Sequence, residues 1–464
     1  MGKLKLLIGL GAVGYLSTVA YVHYDDNLLT QKRLTGVDTH SMTPLTRQVY
    51  GIVADKGCEY CHSKNSEMPF YANLPVAKQL MEHDIDQGLR HFRIEPVLAA
   101  MRSGKPITDT DLAKIESVME EGSMPPALYL TMHWAADMSQ QERDTVLNWV
   151  TESRTTQHPR NPASPAFKNE AVQPVYTTFR VNEDKVKLGD SLYHDTRLSG
   201  DNTVSCASCH SLSHGGVDGL KTSTGVGGAK GPINAPTVYN AVFNIHQFWD
   251  GRAKDLQAQA GGPPLNPIEM ASTSWKQIID KLDQDPAMQA QFTALYPDGI
   301  TAGNITDAIA EFEKTLTTPN SRFDQYLKGN ANALTKEEQE GYALFKSNKC
   351  DTCHAGEAMG GQTFEVMGLK ADYFADRGNP VKVDNGRYNV TGDQLDMHRF
   401  KVPTLRNVAL TAPYFHDASA QTLEQAVADM AKYQVGVTLS QSEVDKITAY
   451  LKTLTGEYNG KPLG

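Results

Sequence analysis

The sequence has no cysteine outside one repeated pattern. A disulfide framework or a closed zinc site would need cysteines elsewhere in the chain, and none remain. All six stand in three copies of C-x-x-C-H, formed by Cys58, Cys61 and His62, by Cys206, Cys209 and His210, and by Cys350, Cys353 and His354.

Positive charge is also scarce. The chain of 464 residues has 44 Lys and Arg against 54 Asp and Glu, which gives a net charge of −10. A nucleic-acid-binding protein needs a basic surface to neutralise phosphates, and a protein that binds anionic lipid headgroups needs one too. The composition therefore predicts no nucleic-acid partner and gives no sign of a basic lipid-binding surface.

Long apolar runs are rare, and the N-terminus carries one. Leu6–Val22 reads LLIGLGAVGYLSTVAYV, an uncharged run at the short end of the length that crosses a bilayer. Two lysines precede the run and two aspartates follow it, which favours a cytoplasmic N-terminus. A signal peptide cleaved after Ala20 is the alternative. We predict an uncleaved anchor over residues 1–24, in the bacterial inner membrane.

The histidine beside each cysteine pair changes what the pair predicts. C-x-x-C alone indicates a zinc half-site or a thiol redox pair, whereas C-x-x-C-H is the attachment signal for c-type haem. Two thioethers tether the macrocycle, and the histidine ligates the iron. The three copies predict three covalently bound haem c groups, with His62, His210 and His354 as proximal ligands. Because such haems are attached outside the cytoplasm, the bulk of the chain should lie in the periplasm.

Three haem units follow the predicted anchor. The first covers 40–155 and contains a helical pattern over Asp109–Glu121 and a last helix that starts in SQQERDTVLNWV. A polar stretch with prolines, 156–175, predicts a linker. The second unit covers 176–332 and the third covers 333–464.

The last two units are copies of one another. PTVYN at Pro236–Asn240 recurs as PTLRN at Pro403–Asn407, and Phe248 matches Phe415 in the same gapless register. Each stretch lies downstream of its own C-x-x-C-H. A repeat of whole haem units is the simplest explanation.

Helix start signals surround the third motif. Thr335 and Ser440 each precede a glutamate by three residues, which predicts capping boxes, and the second helix should stop at Gly456. Helices on both sides of a haem motif are typical of small c-type cytochromes. The predicted fold class is mainly α, with three cytochrome c-type haem domains in tandem after one N-terminal transmembrane helix.

Methionine is the expected sixth iron ligand wherever a haem only transfers electrons. A His/Met haem is closed to substrate, and the thioether raises its potential. Met124 of GSMPP is the best candidate in the first unit, since the prolines fix the backbone. Met430 of TLEQAVADMAKYQ is the best candidate in the last unit. The alternatives are Met119, Met132 and His133 in the first unit and Met359 and Met367 in the last.

The middle unit differs, because the loop after its motif, SLSHGGVDGLKTSTGVGGAKGP, has no methionine and is glycine-rich and mobile by composition. Met270 appears later, beside Glu269 in NPIEM. A carboxylate near an open haem iron can take a proton from one peroxide oxygen and return it to the other. From the residues alone, Glu269 is more often expected on a solvated surface.

Four further blocks carry a family resemblance: LSGDNTVSCASCH, GPINAPTVYNAVFNIHQFWDGRA, KCDTCHAGEAMGG and FKVPTLRNVALTAPYFHDA. From about Arg180 to Gly456 the sequence resembles the bacterial di-haem cytochrome c peroxidases. With the N-terminal segment and the third motif, the whole chain resembles the membrane-anchored tri-haem branch of enterobacteria, considered quinol peroxidases. The first unit resembles a small single-haem domain that ends in MPP, which supports Met124.

The resemblance implies roles for matching positions. The haem on His210 would be the peroxidatic centre, with Gln259 and Glu269 over its distal face. Trp249 would carry electrons between this haem and the C-terminal one, on His354 with Met430 opposite. The family's calcium site, built from oxygen ligands, matches Asn234, Thr411 and Pro413.

One position departs from the family. Many di-haem peroxidases rest with a distal histidine from the mobile loop in a G-H-G setting, where this chain has Gly225-Val226-Gly227. Valine cannot ligate iron, and His214 lies too close to His210 in sequence to reach the opposite face. The resting middle haem is therefore expected to be open or weakly ligated, without a need for reductive activation by loop displacement.

These inferences together predict an enzyme that reduces hydrogen peroxide to water with two electrons. The expected donor is membrane quinol, through the N-terminal haem. A soluble cytochrome c or cupredoxin is the alternative donor. A non-catalytic multihaem electron conduit is an alternative function, and so is oxidation of tryptophans on a partner protein, although that branch has tyrosine where Met430 stands.

Overall fold

The structure is a computed structural model that describes residues 2–158, 162–177 and 179–464, without the side chains of residues 2–9. The chain divides into two compact units, Met1–Pro159 and Arg160–Gly464. Helices dominate both units, which confirms the mainly α prediction.

The first unit consists of helices. Its α-helices are α1 (Gly2–Leu34), α2 (Pro44–Asp55), α3 (Glu59–His62), α4 (Pro75–His91), α5 (Glu95–Ser103), α6 (Asp109–Glu121), α7 (Ala127–Leu130) and α8 (Gln140–Gln157), with 3-10 turns at Phe70–Asn73 and Trp134–Ala136.

Helix α1 contains the predicted anchor and continues beyond it. Among the residues that the structure describes, no helix has the length and apolar character needed to cross a membrane. The apolar run of the predicted anchor, Leu6–Val22, begins within residues 2–9, whose side chains lie outside the described part. Further along the helix, Val19 and Val22 are buried.

Local signals set the helix ends in the first unit. The Thr108 side chain accepts from the Asp111 backbone amide and starts α6, which ends where Gly122 adopts φ 60°. A capping box between Ser139 and Glu142 starts α8. Both predicted helices are confirmed. Their apolar faces meet α2 and α5 in a core that contains Val49, Leu98, Leu112, Val146 and Trp149.

The second unit contains the other two motifs. Its α-helices are α9 (Glu183–Tyr193), α10 (Cys206–Cys209), α11 (Leu256–Ala260), α12 (Trp275–Leu282), α13 (Pro286–Leu295), α14 (Ala302–Glu313), α15 (Arg322–Leu327), α16 (Lys336–Ser347), α17 (Tyr373–Arg377), α18 (Tyr388–Thr391), α19 (Leu423–Met430) and α20 (Gln441–Lys452).

Four short strands and several 3-10 turns complete this unit. Strand β1 (Phe364–Val366) pairs antiparallel with β2 (Arg399–Lys401), and β3 (Glu457–Tyr458) pairs antiparallel with β4 (Lys461–Pro462). The 3-10 turns are Thr196–Leu198, Val226–Gly228, Ala241–Phe243, Pro263–Leu265, Ala331–Ala333, Cys350–Thr352, Lys382–Asn385, Gln394–Asp396 and Val408–Leu410.

The repeat inferred from sequence is visible in the backbone. Asn240 and Asn407 both adopt φ near 60°, at 61° and 62°, and Phe248 and Phe415 adopt 68° and 71°. The side-chain amides of the two asparagines donate to the same Thr318 hydroxyl, at 2.8 and 3.0 Å. The two copies therefore share a conformation and meet at one buried residue.

Each copy also closes on a tight helix crossing. A Cβ at Gly189 of α9 would lie 2.7 Å from the carbonyl carbon of Ala308 in α14. A Cβ at Gly341 of α16 would lie 2.7 Å from the carbonyl carbon of Lys446 in α20. In each case only glycine allows the helix before the motif to touch a later helix of its domain.

Two sequence predictions need adjustment. The predicted capping boxes at Thr335 and Ser440 are present, but the second helix, α20, ends at Lys452 instead of Gly456. The Gly456 amide donates to the Asn407 side chain at 3.0 Å, which draws the chain away from the helix axis.

In the predicted linker, Val172 is buried in the core around the third motif.

Replacing Gly189 tests the crossing. Gly189→Ala should lower the free energy of unfolding by about 1–3 kcal/mol, because the new Cβ overpacks against α14. The control, Gly303→Ala in α14, meets nothing closer than 3.8 Å and should be neutral or stabilising. Thermal unfolding of the haem-loaded protein, followed by circular dichroism, compares them. Equal midpoints for both variants would contradict the tight crossing.

Candidate functional site

The three motif histidines share one hydrogen-bond arrangement. In each, Nδ1 lies within hydrogen-bond distance of a backbone carbonyl oxygen. The distances are 3.1 Å from His62 to Phe92, 3.3 Å from His210 to Gly216, and 3.1 Å from His354 to Met359. An Nδ1–H that donates to a carbonyl leaves the Nε2 lone pair for iron and fixes the ring plane. The three histidines fit the role of proximal haem ligands.

The motif cysteines have the properties of attachment points. All six are free, so no disulfide competes for them. Burial raises the pKa of the Cys58 thiol to about 11 and that of Cys206 and Cys350 to about 12. A redox or zinc-binding thiol needs a lowered pKa. The donor set therefore fits thioether-linked haem better than thiol chemistry.

Contacts narrow the choice of sixth ligand in the first unit. Both ring nitrogens of His133 are engaged, Nδ1 with the Tyr129 carbonyl at 3.0 Å and Nε2 with the Tyr71 hydroxyl at 2.8 Å. Met132 packs in an apolar cluster with Tyr71, and Met119 packs against the core. Met124 is half-buried and belongs to neither cluster. Met124 stays the candidate.

Two of the three methionine candidates in the last unit lie together. Met359 is fully buried, and its carbonyl faces the proximal histidine, His354. Met367 and Met430 belong to one apolar cluster that also contacts Trp249. Met430 is the last residue of α19, directly before a π-helical turn, a feature common at functional sites.

Glu269 is half-buried in the middle domain. The Asn266 side-chain amide donates to Glu269 Oε1 at 2.7 Å. Burial raises the pKa of the Glu269 carboxyl, although Arg252 and the Asn266 hydrogen bond oppose the shift. A partly buried carboxyl group with a raised pKa is a candidate for general acid–base catalysis. Gln259, near the end of α11, is also half-buried.

The glycine-rich loop lies directly against Glu269. The Val226 amide donates to the Glu269 carbonyl at 2.8 Å, and a Cβ at Gly225 would lie 2.9 Å from the Glu269 Cα. The G-V-G position that departs from the family thus packs beside the candidate acid–base residue. Its central side chain, Val226, packs against the apolar core.

The other potential ligands of the middle unit point elsewhere. Met270 is only 3% exposed and packs in the core of this domain. His214 is exposed, and its Nδ1 lies 3.2 and 2.9 Å from the hydroxyls of Ser211 and Ser213.

Trp249 connects the two copies of the repeat. Its indole N–H donates to the Asn234 carbonyl at 2.8 Å, and its ring lies edge-on to Phe400 at 6.4 Å and to His416 at 6.3 Å between centroids. The Lys401 amide donates to the Trp249 carbonyl at 2.8 Å. The tryptophan therefore touches segments of both copies.

The residues matched to the calcium site lie near the same junction. The Asn234 amide donates to the His416 carbonyl at 2.8 Å, and its side-chain NH₂ donates to the Leu220 carbonyl at 2.9 Å. The Thr411 hydroxyl donates to the Val408 carbonyl at 3.2 Å. Those bonds leave the Asn234 Oδ1 and the backbone carbonyls of Thr411 and Pro413 as oxygens of the type that Ca²⁺ prefers.

Two charged side chains that are buried in the structure were not identified from the sequence. Burial lowers the pKa of Lys401 to about 8 with no neighbouring carboxylate to oppose it. Burial raises the pKa of Glu313 to about 8, and its Oε2 has no hydrogen-bond partner among the described residues. Lys401 suits the carboxylate of a haem propionate. Burial of these side chains comes from tertiary packing, and no local pattern marks it.

Residues 183–332 match the family described as di-haem cytochrome c peroxidase, and residues 14–152 match a haem-binding domain. Together with the relatives below, these matches show that the chain belongs to the di-haem cytochrome c peroxidase family. It is a haem peroxidase, an oxidoreductase that reduces hydrogen peroxide. The alternative of a non-catalytic conduit is set aside.

One relative matches almost the whole chain. Cytochrome c peroxidase Ccp of Escherichia coli K12 is 52% identical over 454 residues, which cover 97% of this chain and 96% of that protein. Cytochrome c551 peroxidase of Nitrosomonas europaea is 49% identical over 62% of this chain and 85% of its own length. A solved MauG-like protein associated with microbial copper homeostasis has a TM-score of 0.54 and 31% identity, and covers 62% of this chain and 94% of its own.

Gly225→Ala tests the packing of the loop. The added Cβ must push the Ile268–Glu269 backbone away, and a displacement of about 1 Å in an active site can cost about 100-fold in rate. We expect at least a tenfold loss of peroxide turnover with a ferrocene donor. Gly231→Ala, in the same loop, meets nothing closer than 3.6 Å and should keep the wild-type rate. Equal rates for the two variants would refute the placement.

Proposed function

We propose that this chain is a periplasmic, quinol-dependent hydrogen peroxide reductase with three haem c groups, one on each motif. The shared Nδ1–carbonyl arrangement of the three motif histidines supports three equivalent attachment sites. The match of residues 14–152 to a haem-binding domain separate from the peroxidase region supports the first of them.

Peroxide is reduced at the middle site. The observation that carries this assignment is Glu269, half-buried with a raised pKa and packed against the glycine-rich loop at Gly225 and Val226. When bound to His210, the haem supplies an iron with an available coordination position. Glu269 takes a proton from one peroxide oxygen and returns it to the other, so that the O–O bond breaks with water as the leaving group. Gln259 orients the peroxide.

The other two haems transfer electrons. Met124 and Met430 would hold these haems as sixth ligands and would close them to substrate. Trp249 carries the electron between the C-terminal haem and the middle one, and its contacts with both copies of the repeat support that role. Asn234, Thr411 and Pro413 hold a Ca²⁺ ion that stabilises this junction.

Membrane quinol is the proposed donor, and the first unit is the point of electron entry. The apolar run Leu6–Val22 anchors the chain in the bacterial inner membrane, which places the first haem near the lipid phase. A soluble cytochrome c or cupredoxin is the second candidate donor. The names of the relatives, cytochrome c and cytochrome c551 peroxidases, favour that alternative.

Glu269→Gln tests the acid–base role. The amide keeps the size of the side chain but cannot carry the proton, so peroxide turnover should fall by about 10²- to 10⁴-fold. In the wild type, kcat/KM should fall as the pH drops through a pKa above that of an ordinary glutamate, because protonation removes the base. The variant should lack this limb. Glu340→Gln, at an exposed ion pair, should match the wild type in steady-state assays. A fully active Glu269→Gln enzyme would refute the assignment.

Removing the first haem tests the route. A Cys58→Ala/Cys61→Ala chain should contain two haems by the pyridine haemochrome assay, against three in the wild type. It should lose quinol-driven turnover and keep turnover with a ferrocene donor. The Cys206→Ala/Cys209→Ala chain should also contain two haems but lose activity with both donors. Quinol turnover that persists without the first haem would refute the route.

A further inference from the structure

A buried polar cluster lies beside the first motif. Asp26, near the C-terminal end of α1, accepts on Oδ1 from the Tyr71 hydroxyl at 2.7 Å and from the Tyr60 hydroxyl at 3.2 Å. The Tyr71 oxygen also lies 2.8 Å from His133 Nε2. Tyr60 stands between the two motif cysteines, Cys58 and Cys61, so the cluster touches the point of haem attachment.

The side chains of this cluster carry one proton fewer than their hydrogen bonds require. His133 Nδ1 lies 3.0 Å from the Tyr129 carbonyl, so its proton belongs there, and Nε2 of the neutral ring is an acceptor. The Tyr71 hydroxyl has one proton but two acceptors, Asp26 Oδ1 and His133 Nε2. One of the two bonds stays unmade until a proton arrives on His133 or on Asp26. The three side chains therefore form a proton acceptor by geometry.

Because of burial, an added proton is not strongly confined to either Asp26 or His133. Burial raises the pKa of Asp26 and lowers the pKa of His133, so neither the carboxylate nor the imidazolium is strongly favoured. The titratable groups that face this pair are Asp25, Tyr60, Tyr71 and Tyr129, and Arg33 lies over the Tyr60 ring. The Asp26 side chain is 21% exposed, which gives protons a route to water.

Two exposed aromatic rings lie next to cluster residues in sequence. Phe70 and Trp134, the neighbours of Tyr71 and His133 in sequence, are 56% and 52% exposed. Each contacts a tyrosine of α1: Phe70 packs edge-on to Tyr21 at 5.8 Å, and Trp134 lies 6.0 Å from Tyr15. These tyrosines belong to the apolar run Leu6–Val22. Aromatic rings at such a position suit both the membrane–water interface and a flat aromatic ligand.

We propose that Asp26, Tyr71 and His133 form the proton-accepting part of a quinol oxidation site, with the aromatic ring of the quinol held at the rim of Phe70 and Trp134. The inference rests on the proposed function, in which quinol is the donor. It names the substrate class as a lipid-soluble aromatic 1,4-diol.

The step balances in atoms and charge. The quinol loses two O–H protons and two electrons and becomes a quinone. The electrons leave one at a time through the haem of the first motif, and the protons pass one at a time to the cluster and on to water. Reduction of one hydrogen peroxide by two electrons and two protons yields two water molecules.

Asp26→Asn tests the cluster in the full-length, haem-loaded enzyme in detergent. Menadiol, which releases protons, and a ferrocene donor, which releases none, are compared as reductants. We expect a loss of at least tenfold with menadiol, a flatter pH profile of the menadiol reaction, and a ferrocene rate within twofold of wild type. Wild-type turnover with menadiol should decline as the pH falls and Asp26 takes up its proton.

Tyr71→Phe breaks the hydrogen-bond chain while keeping the ring, and it should show the same selective loss. Asp38→Asn, at an exposed turn of the same unit, is the charge-matched control and should be unchanged. Binding of a hydroxyquinoline N-oxide, followed by fluorescence quenching, should be retained in both cluster variants, because the rim holds the ring.

The outcomes separate the two proposals. If the wild type oxidises menadiol and both cluster variants keep its rate and pH profile, this inference is overturned while the quinol-dependent function stands. If the wild type oxidises the ferrocene donor but does not oxidise menadiol at any pH, the proposal of a quinol donor is wrong. The proposed quinol site is then refuted as well.

Discussion

The hydrogen bond from each motif histidine to a backbone carbonyl is the constraint on which the rest of the structure depends. The carbonyls of Phe92, Gly216 and Met359 fix the imidazole plane, so that Nε2 would be available to the iron of a haem attached at each motif. The proximal histidine has the same arrangement in all three motifs. A functional difference between the three sites must therefore come from the residues on the opposite side of each histidine. In the proposed assignment the first and last units would place a methionine there, and the middle unit would place a carboxylic acid.

A short glycine–proline run explains how two copies of one repeat reach such different results. In the register that aligns the PTVYN and PTLRN segments, α11 and α19 start together, at Leu256 and Leu423. Helix α19 continues for eight residues and ends on Met430, whereas GGPP stops α11 at Ala260, because glycine and proline cannot extend it. Pro263 takes the place of Met430, and the chain turns toward Asn266 and Glu269.

The parts of the molecule that sequence predicted are local or periodic. The haem motifs, the capping boxes at Thr335 and Ser440, helix α6 and the internal repeat each depend on residues close in sequence or on self-similarity. Burial and hydrogen-bond pairing depend on residues that are distant in sequence, so they could not be predicted from the sequence. Sequence alone gave no sign that Lys401 loses its water, that Gly456 bonds to Asn407, or that Asp26 meets Tyr71 and His133.

Two of the carboxyl groups whose pKa burial raises lie at the two ends of the proposed electron path. Burial raises the pKa of Asp26 beside the first motif and of Glu269 in the middle domain, the two places where the proposed reaction couples proton transfer to electron transfer. The last unit presents the apolar cluster around Met430, where the proposed role is electron transfer. In the proposed topology both ends face the periplasm. Two protons released from quinol then balance two consumed with peroxide, so turnover moves no net charge across the membrane and depends on the supply of quinol and peroxide alone.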